Sequence, residues 1–218
     1  MNEELSKNVM KSGTSIVGIV CKDGVVIAGD KRSTAGGQII MSKKSPKVVK
    51  INDYIAVAGT GVASDIDLNQ RVFTAELKIK ELKTKTQPSV KEAATLFGMM
   101  AYKNIRNPSM IMSVVGLLVG GVNQDGTTEL YTVEPAGGVY PVEDYDANFS
   151  SGMPYILGLL ENKYRKDMTV KEGIALGREC IRVAIERDPA SGNGIDVFSI
   201  TKDGIKKVVE QKIEAEFK

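Results

Sequence analysis

The sequence predicts an α+β domain in which antiparallel sheets are covered by helices. Three observations carry this. β-rich apolar runs joined by short turns recur at the beginning, middle and end of the chain. Helical patterns come in two adjacent pairs instead of alternating with strands, which disfavours a parallel sheet. The whole chain is 218 residues with 42% apolar and 26% charged residues, enough for one domain with a substantial core.

The elements follow in order. Ser15–Lys22 and Val25–Asp30 are β-rich and joined by Asp23-Gly24, a strong hairpin signal. Lys47–Ile51 and Tyr54–Ala58 form a second pair across Asn52-Asp53. After Gly61 the period changes, and Ile66, Val72, Phe73, Leu77, Ile79 and Leu82 suit a long amphipathic helix. Gln87-Pro88 breaks it. Ser89 and Glu92 then read as a capping box opening a helix that runs to about Arg106. Ser113–Val122 and Thr127–Val133 form a hairpin across 123–126. Pro135–Gly138 is a turn, and short strands are expected at Val139–Glu143 and Asp146–Phe149. Pro154–Tyr164 is a helix, and Thr169 with Glu172 caps another ending near Arg187. Ile195–Thr201 and Gly204–Val208 close the chain as a hairpin across Lys202-Asp203. Neither a repeat nor a linker is evident. Residues 1–13 are polar, lack the apolar region of a secretory signal, and read as a short extension ahead of one domain.

Composition narrows the chemistry. A net charge of +2 is too small to imply nucleic-acid or membrane binding through bulk electrostatics, and no apolar run reaches the length of a membrane span. The lysine runs at Lys43, Lys44, Lys47 and Lys50, and at Lys78, Lys80, Lys83 and Lys85, read mostly as solvated faces. Cys21 and Cys180 match no metal or redox spacing, which favours free thiols in a reducing cytosol over a disulfide. The chain has no histidine. That removes Ser-His-Asp and Cys-His catalysis and argues against a typical zinc hydrolase site, so no metal and no cofactor are expected. A hydrolase built from this chain needs a lysine, a carboxylate or an α-amino group as its base.

Gly13-Thr14-Ser15 offers the last of these. A Gly-Thr pair alone carries no weight, because threonine at the start of a strand is ordinary β chemistry. If the bond after Gly13 were cut, however, Thr14 would present a hydroxyl and a free α-amine on one residue. An α-amine titrates at roughly 7.7–8.0, so it can accept the hydroxyl proton near neutrality. The glycine leaves the scissile carbonyl open to attack by the Thr14 hydroxyl.

Thr14-Ser15-Ile16-Val17-Gly18, followed by Val25–Asp30 and Lys31-Arg32, resembles the start of mature proteasome β subunits, which are N-terminal nucleophile hydrolases. The resemblance continues through Lys47–Ile51 and Gly59-Thr60-Gly61-Val62-Ala63-Ser64-Asp65. It returns at Ser151-Gly152-Met153-Pro154 and at Arg187-Asp188-Pro189-Ala190-Ser191-Gly192. It implies a four-layer αββα sandwich of two antiparallel sheets flanked by helix pairs, with residues 1–13 a propeptide removed by autolysis and 14–218 the peptidase domain. It further implies Thr14 as nucleophile, Lys47 as the neighbouring cation that depresses its pKa, and Asp30 as the carboxylate orienting that lysine. Asp188, Ser151 and Ser191 match the groups around the terminal amine, and Gly61 the oxyanion donor. Gly59 and Ala63 match pocket-lining positions. Asp67 resembles an acidic pocket base, although a solvated helix-start carboxylate explains it equally well.

Taken one at a time, each of these residues has an ordinary structural explanation. Asp188 is the exception, since a carboxylate at a helix C-terminus opposes the helix dipole. The sequence departs from the family pattern at Ser150, where many relatives carry glycine, and at Met153, where serine is common. The implied partners are further β subunits in a heptameric ring, α subunits, a regulatory ATPase acting through the α ring, and polypeptide substrates in a cytoplasmic chamber. Two other readings stay open. One is the bacterial two-ring peptidase relative, which shares the Val26–Asp30 run but is disfavoured by Arg187–Gly192 and by the extra length. The other is a non-catalytic ring subunit that scaffolds an active β partner.

Overall fold

A computed structural model describes residues 13–109 and 112–213. Residues 1–12 of the expected propeptide lie outside these described residues. The strands are β1 (Ile16–Cys21), β2 (Gly24–Asp30), β3 (Ser33–Ala35), β4 (Ile39–Ser42), β5 (Val48–Lys50) and β6 (Ile55–Gly61). Helices α1 (Ala63–Thr84) and α2 (Val90–Arg106) follow, then β7 (Val115–Val122), β8 (Thr128–Val133), β9 (Val139–Pro141) and β10 (Tyr145–Asp146). Helices α3 (Met153–Lys163) and α4 (Val170–Arg187) precede β11 (Gly194–Thr201) and β12 (Gly204–Lys212).

Two five-stranded antiparallel sheets form, ordered β10-β1-β2-β11-β12 and β5-β6-β7-β8-β9, with β3-β4 a separate hairpin. Strand alternation sorts the apolar residues into three layers. Val17, Ile19, Val26, Ala28, Ile195 and Val197 face α3 and α4, joined there by Ile156, Leu160, Cys180 and Ile181. Ile55, Val57, Leu117 and Val119 face α1 and α2, where Phe73 and Phe97 meet edge-to-face at 5.6 Å between centroids. The alternate residues Ile16, Val25, Ile27, Ala56, Ala58, Leu118, Phe198 and Ile200 pack between the sheets. The result is the four-layer αββα sandwich. Strands buried on both faces explain why β1, β2, β6 and β7 are apolar almost throughout.

Both anticipated capping boxes form. Ser89 Oγ accepts the Glu92 N–H at 3.1 Å while Glu92 accepts the Ser89 N–H at 2.9 Å. Thr169 and Glu172 reciprocate at 3.3 and 2.8 Å.

Local differences from the sequence reading have identifiable causes. Cys21 pairs with Gly24, so the first turn is Lys22-Asp23, one residue earlier than expected. The Asp23 carboxylate instead accepts the Val170 N–H at the start of α4, at 2.7 Å. The expected strand Asp146–Phe149 stops at Asp146, because Asn148 adopts φ +39° and turns the chain out of the sheet. In α1 only Phe73 and Leu77 of the anticipated apolar set are buried, with Ile66 half-buried, while Val72, Ile79 and Leu82 are exposed. The β3-β4 hairpin, with exposed Ile39, Ile40 and Met41, has no counterpart in the sequence reading.

Candidate active site

Thr14 stands two residues ahead of β1, and its environment is built from the end of β2 and the loops that follow β2, β10 and α4. Pairing of β1 with β2 sets Ile16 opposite Gly29, which brings the end of β2 beside residue 14. The Asp30 carboxylate then accepts the Ser15 N–H at 3.0 Å, the Arg32 N–H at 2.9 Å and the Gly192 N–H at 2.9 Å. Three donors around one fully buried carboxylate tie β1, β2 and the loop after α4 together.

Lys47 approaches from the second sheet. A Cβ placed on Gly29 would lie 2.9 Å from Lys47 Cβ, so the start of β5 rests against the end of β2. Burial pushes the Asp30 carboxyl up to about 6, opposed by the Lys47 charge and the backbone donors. Burial lowers the Lys47 pKa from the ordinary lysine range, with Asp30 acting in the opposite sense. Of the first lysine run only Lys47 is buried; Lys43, Lys44 and Lys50 are exposed.

The backbone nitrogen of Thr14 meets a different carboxylate through a serine. It donates to Ser151 Oγ at 2.9 Å. The Ser151 hydroxyl has two acceptors in reach, Asp188 Oδ2 at 2.6 Å and the Thr14 carbonyl at 3.0 Å; the shorter, charge-assisted bond is the stronger. Ser191 Oγ donates to the same Asp188 oxygen at 2.7 Å, and Ser15 Oγ lies 2.7 Å from Ser191 Oγ. Asp188 Oδ1 accepts the Ala190 N–H at 3.0 Å. These bonds explain a buried carboxylate at the C-cap of α4, where the helix dipole alone would disfavour it.

Gly13 and Thr14 are buried, and the Thr14 hydroxyl donates to the Gly13 carbonyl at 2.8 Å. Gly13 N–H donates to Thr34 Oγ1 in β3 at 3.0 Å. A Cβ on residue 13 would fall 1.8 Å from Ala190 Cβ, so only glycine fits here without displacing its neighbours.

Gly61 ends β6 on the second sheet with φ +114°, and a Cβ there would lie 1.9 Å from the Val114 carbonyl oxygen. Beside it runs a cleft of about 640 Å³ lined by Lys47, Val49, Gly59, Ala63, Ile66 and Asp67, among others. The three anticipated pocket residues therefore share one cavity with Lys47. Asp67 is not alone there: its carboxylate pairs with Arg71 at 2.7 Å, and Arg71 and Lys50 line the same cleft.

Thr14, Asp30, Ser151, Asp188 and Ser191 thus form one hydrogen-bonded network, which Lys47 joins through its charge. Sequence reasoning missed Thr34, Ser15 and Arg32. Arg32 donates to the Pro189 carbonyl at 2.7 Å and to Asn193 Oδ1 at 2.9 Å, bracing the loop that carries Ser191. Its place two residues after Asp30, within the Lys31-Arg32 pair that shares the family resemblance, was the available signal. Among the described residues, no group of three or more His, Cys, Asp or Glu side chains could hold a metal ion.

Comparison with known proteins identifies the family. Residues 10–200 match the family model described as proteasome subunit. The chain is 38% identical over 212 residues to the proteasome subunit beta of Archaeoglobus profundus, covering 97% of this chain and 94% of that protein. It is 36% identical over 213 residues to that of Methanococcus maripaludis, covering 98% and 94%. It is 38% identical over 204 residues to proteasome subunit beta 1 of Thermococcus onnurineus, covering 93% and 96%. The chain belongs to the proteasome subunit family, among its β-type members.

Proposed function

We propose that this chain is a threonine endopeptidase: a precursor that cuts its own Gly13–Thr14 bond and then hydrolyses peptide bonds with Thr14. The observation that carries this reading is the double hold on residue 14. Its hydroxyl lies 2.8 Å from the Gly13 carbonyl oxygen, and its nitrogen is bonded to Ser151, which is bonded to Asp188.

In the first step the Thr14 Oγ–C bond to the Gly13 carbonyl carbon forms and the peptide C–N bond breaks. The hydroxyl proton passes to the departing nitrogen. The resulting ester is hydrolysed by water, which frees the Gly13 carboxylate and leaves Thr14 as the first residue. The new α-amine keeps the Ser151 contact and can take the hydroxyl proton when Thr14 attacks a substrate carbonyl. The same amine then protonates the departing peptide nitrogen, and water releases the acyl group. Lys47, whose charge is coupled to that of Asp30, stabilises negative charge developing on the Thr14 oxygen, and the Gly61 N–H stabilises the oxyanion.

Residues 1–13 serve as the propeptide and 14–218 as the peptidase domain. The chain works in a heptameric β ring stacked on α subunits, in the cytoplasm, with an ATPase feeding polypeptides through the α ring. Similarity to archaeal proteasome β subunits over nearly the whole chain supports that assembly. Thr14→Ala tests the reading: the variant should fold, stay full length and hydrolyse nothing. A product cut after Gly13 in that variant would remove Thr14 from its role.

A further inference from the structure

Asn148 lies where the two halves of the candidate site meet, and its side chain is shared by three strands. Its two Nδ2 hydrogens have three acceptors in reach, Thr132 Oγ1 at 2.8 Å, the Val133 carbonyl at 3.1 Å and the Leu117 carbonyl at 3.2 Å. Its Oδ1 accepts the Thr60 hydroxyl at 2.9 Å. Its own N–H is bonded to Asp146 Oδ1 at 2.9 Å, and the residue is 2% exposed. The backbone sits at φ +39°, a left-handed conformation that asparagine tolerates better than most residues. Room for the amide is made by Gly116 in β7. A Cβ there would lie 2.3 Å from Asn148 Oδ1 and 3.0 Å from Thr60 Oγ1.

The position along the chain gives this arrangement its meaning. Asn148 belongs to the segment 147–152, which leaves β10 and delivers Ser151 to the Thr14 nitrogen. Thr60 is the neighbour of Gly61 at the end of β6. One buried amide therefore joins the loop that holds the amine to the strand that carries the oxyanion glycine.

We infer that Asn148 is a positioning residue for peptide hydrolysis, fixing the Ser151 loop against the Thr60–Gly61 strand end. This rests on the threonine-peptidase reading above. It adds to that reading the device that keeps the amine-side and oxyanion-side groups at a constant spacing across two sheets. A purely structural role would also be costly to lose, since each orphaned buried partner destabilises the fold. The test must therefore separate rate from stability.

Three variants of the full chain, assembled with the α subunits of the same source, do so. Asn148→Gly keeps the backbone conformation and deletes the amide. Gly116→Ala leaves Asn148 in place and crowds its oxygen. Thr60→Val is nearly isosteric and removes a single bond. The readouts are kcat and KM on one fluorogenic peptide, normalised to chain beginning at Thr14, the rate of self-cleavage, and the thermal midpoint. We expect kcat to fall about ten- to hundredfold, as misplacement by a fraction of an ångström to an ångström does. KM should stay within about twofold, and self-cleavage should slow in parallel. Wild-type kcat per processed subunit in the variants that assemble would overturn the inference. So would failure of all three to assemble, which would assign Asn148 to folding alone. If only Thr60→Val assembles, its kcat decides. Thr14→Ala run alongside keeps the two levels distinct. Activity in that variant defeats the catalytic reading itself, whereas an inactive Thr14→Ala beside fully active Asn148 variants defeats only the present inference.

Discussion

On the proposed mechanism, replacing Gly13 by alanine should slow self-cleavage strongly while leaving a chain that already begins at Thr14 unaffected. The new Cβ would stand 1.8 Å from Ala190 Cβ and 2.7 Å from both Ala190 Cα and the Ala190 carbonyl oxygen. Carbon atoms prefer separations of about 3.5–4.0 Å, so one segment must move by roughly 1.5–2 Å. Ala190 is the less free to move, because its N–H is bonded to Asp188 and it lies between Asp188 and Ser191. The shift therefore falls on the Gly13 carbonyl, which now lies against the Thr14 hydroxyl. Misplacement by about 1 Å typically costs about 10²-fold in rate, so self-cleavage should slow about a hundredfold, equivalent to about 2.7 kcal/mol in the barrier. The assay is a time course of intact mass after mixing with α subunits. Adding Ala190→Gly removes the shortest contact but not the two at 2.7 Å, so it should restore only part of the rate. A chain freed from a cleavable fusion with Thr14 already first should be fully active. Wild-type self-cleavage by Gly13→Ala would refute the reasoning.

Three further outcomes are expected. Lys47→Ala should abolish peptide hydrolysis and Lys47→Arg should not restore it, since guanidinium is too large and too basic for the site; Lys43→Ala and Lys44→Ala should be nearly silent in the same assay, and equal behaviour of all these variants would defeat the assignment. Asp30 has its folded-state pKa raised to about 6, so its contribution to stability is fully present below its unfolded pKa and is lost as pH rises through about 6. Denaturant unfolding should accordingly show wild type losing roughly 2 kcal/mol relative to Asp30→Asn between pH 4 and 7, and a constant difference would contradict the burial effect. Arg71→Ala should release the Asp67 carboxylate in the cleft and raise cleavage after arginine relative to leucine, with Asp67→Asn moving the ratio the other way; an unchanged ranking on a panel of fluorogenic peptides would make Asp67 an exposed helix residue only.

Much of this molecule is legible in its sequence because apolar runs, helix caps and turn chemistry agree. The paired helices and antiparallel strands follow from Ser89 and Glu92, from Thr169 and Glu172, and from strands apolar on both faces. The site residues became visible only together, as family motifs in order, since serine, lysine and aspartate have ordinary uses one at a time. What stayed hidden depends on contacts between distant segments. Thr34 supports Gly13 across 21 positions, and Ser15 meets Ser191 across 176, so no local pattern announces either. The Ala147–Phe149 segment looks like a strand until Asn148 finds partners in β6, β7 and β8 that hold it at positive φ. Val72, Ile79 and Leu82 fit a helical period but face away from the core, which a single chain's periodicity does not distinguish from burial. Asp188 is the reverse case. Its conflict with the helix dipole marked it in the sequence, and three side-chain and backbone donors resolve the conflict in the structure.

The claim that this subunit is an enzyme made by its own cleavage is tested most directly by the intact mass and N-terminal sequence of the chain after assembly with its α subunits. We expect a chain beginning Thr14-Ser15-Ile16, lighter by residues 1–13, in wild type and not in Thr14→Ala. A chain that still begins at Met1 in a fully assembled, peptide-hydrolysing particle would contradict it.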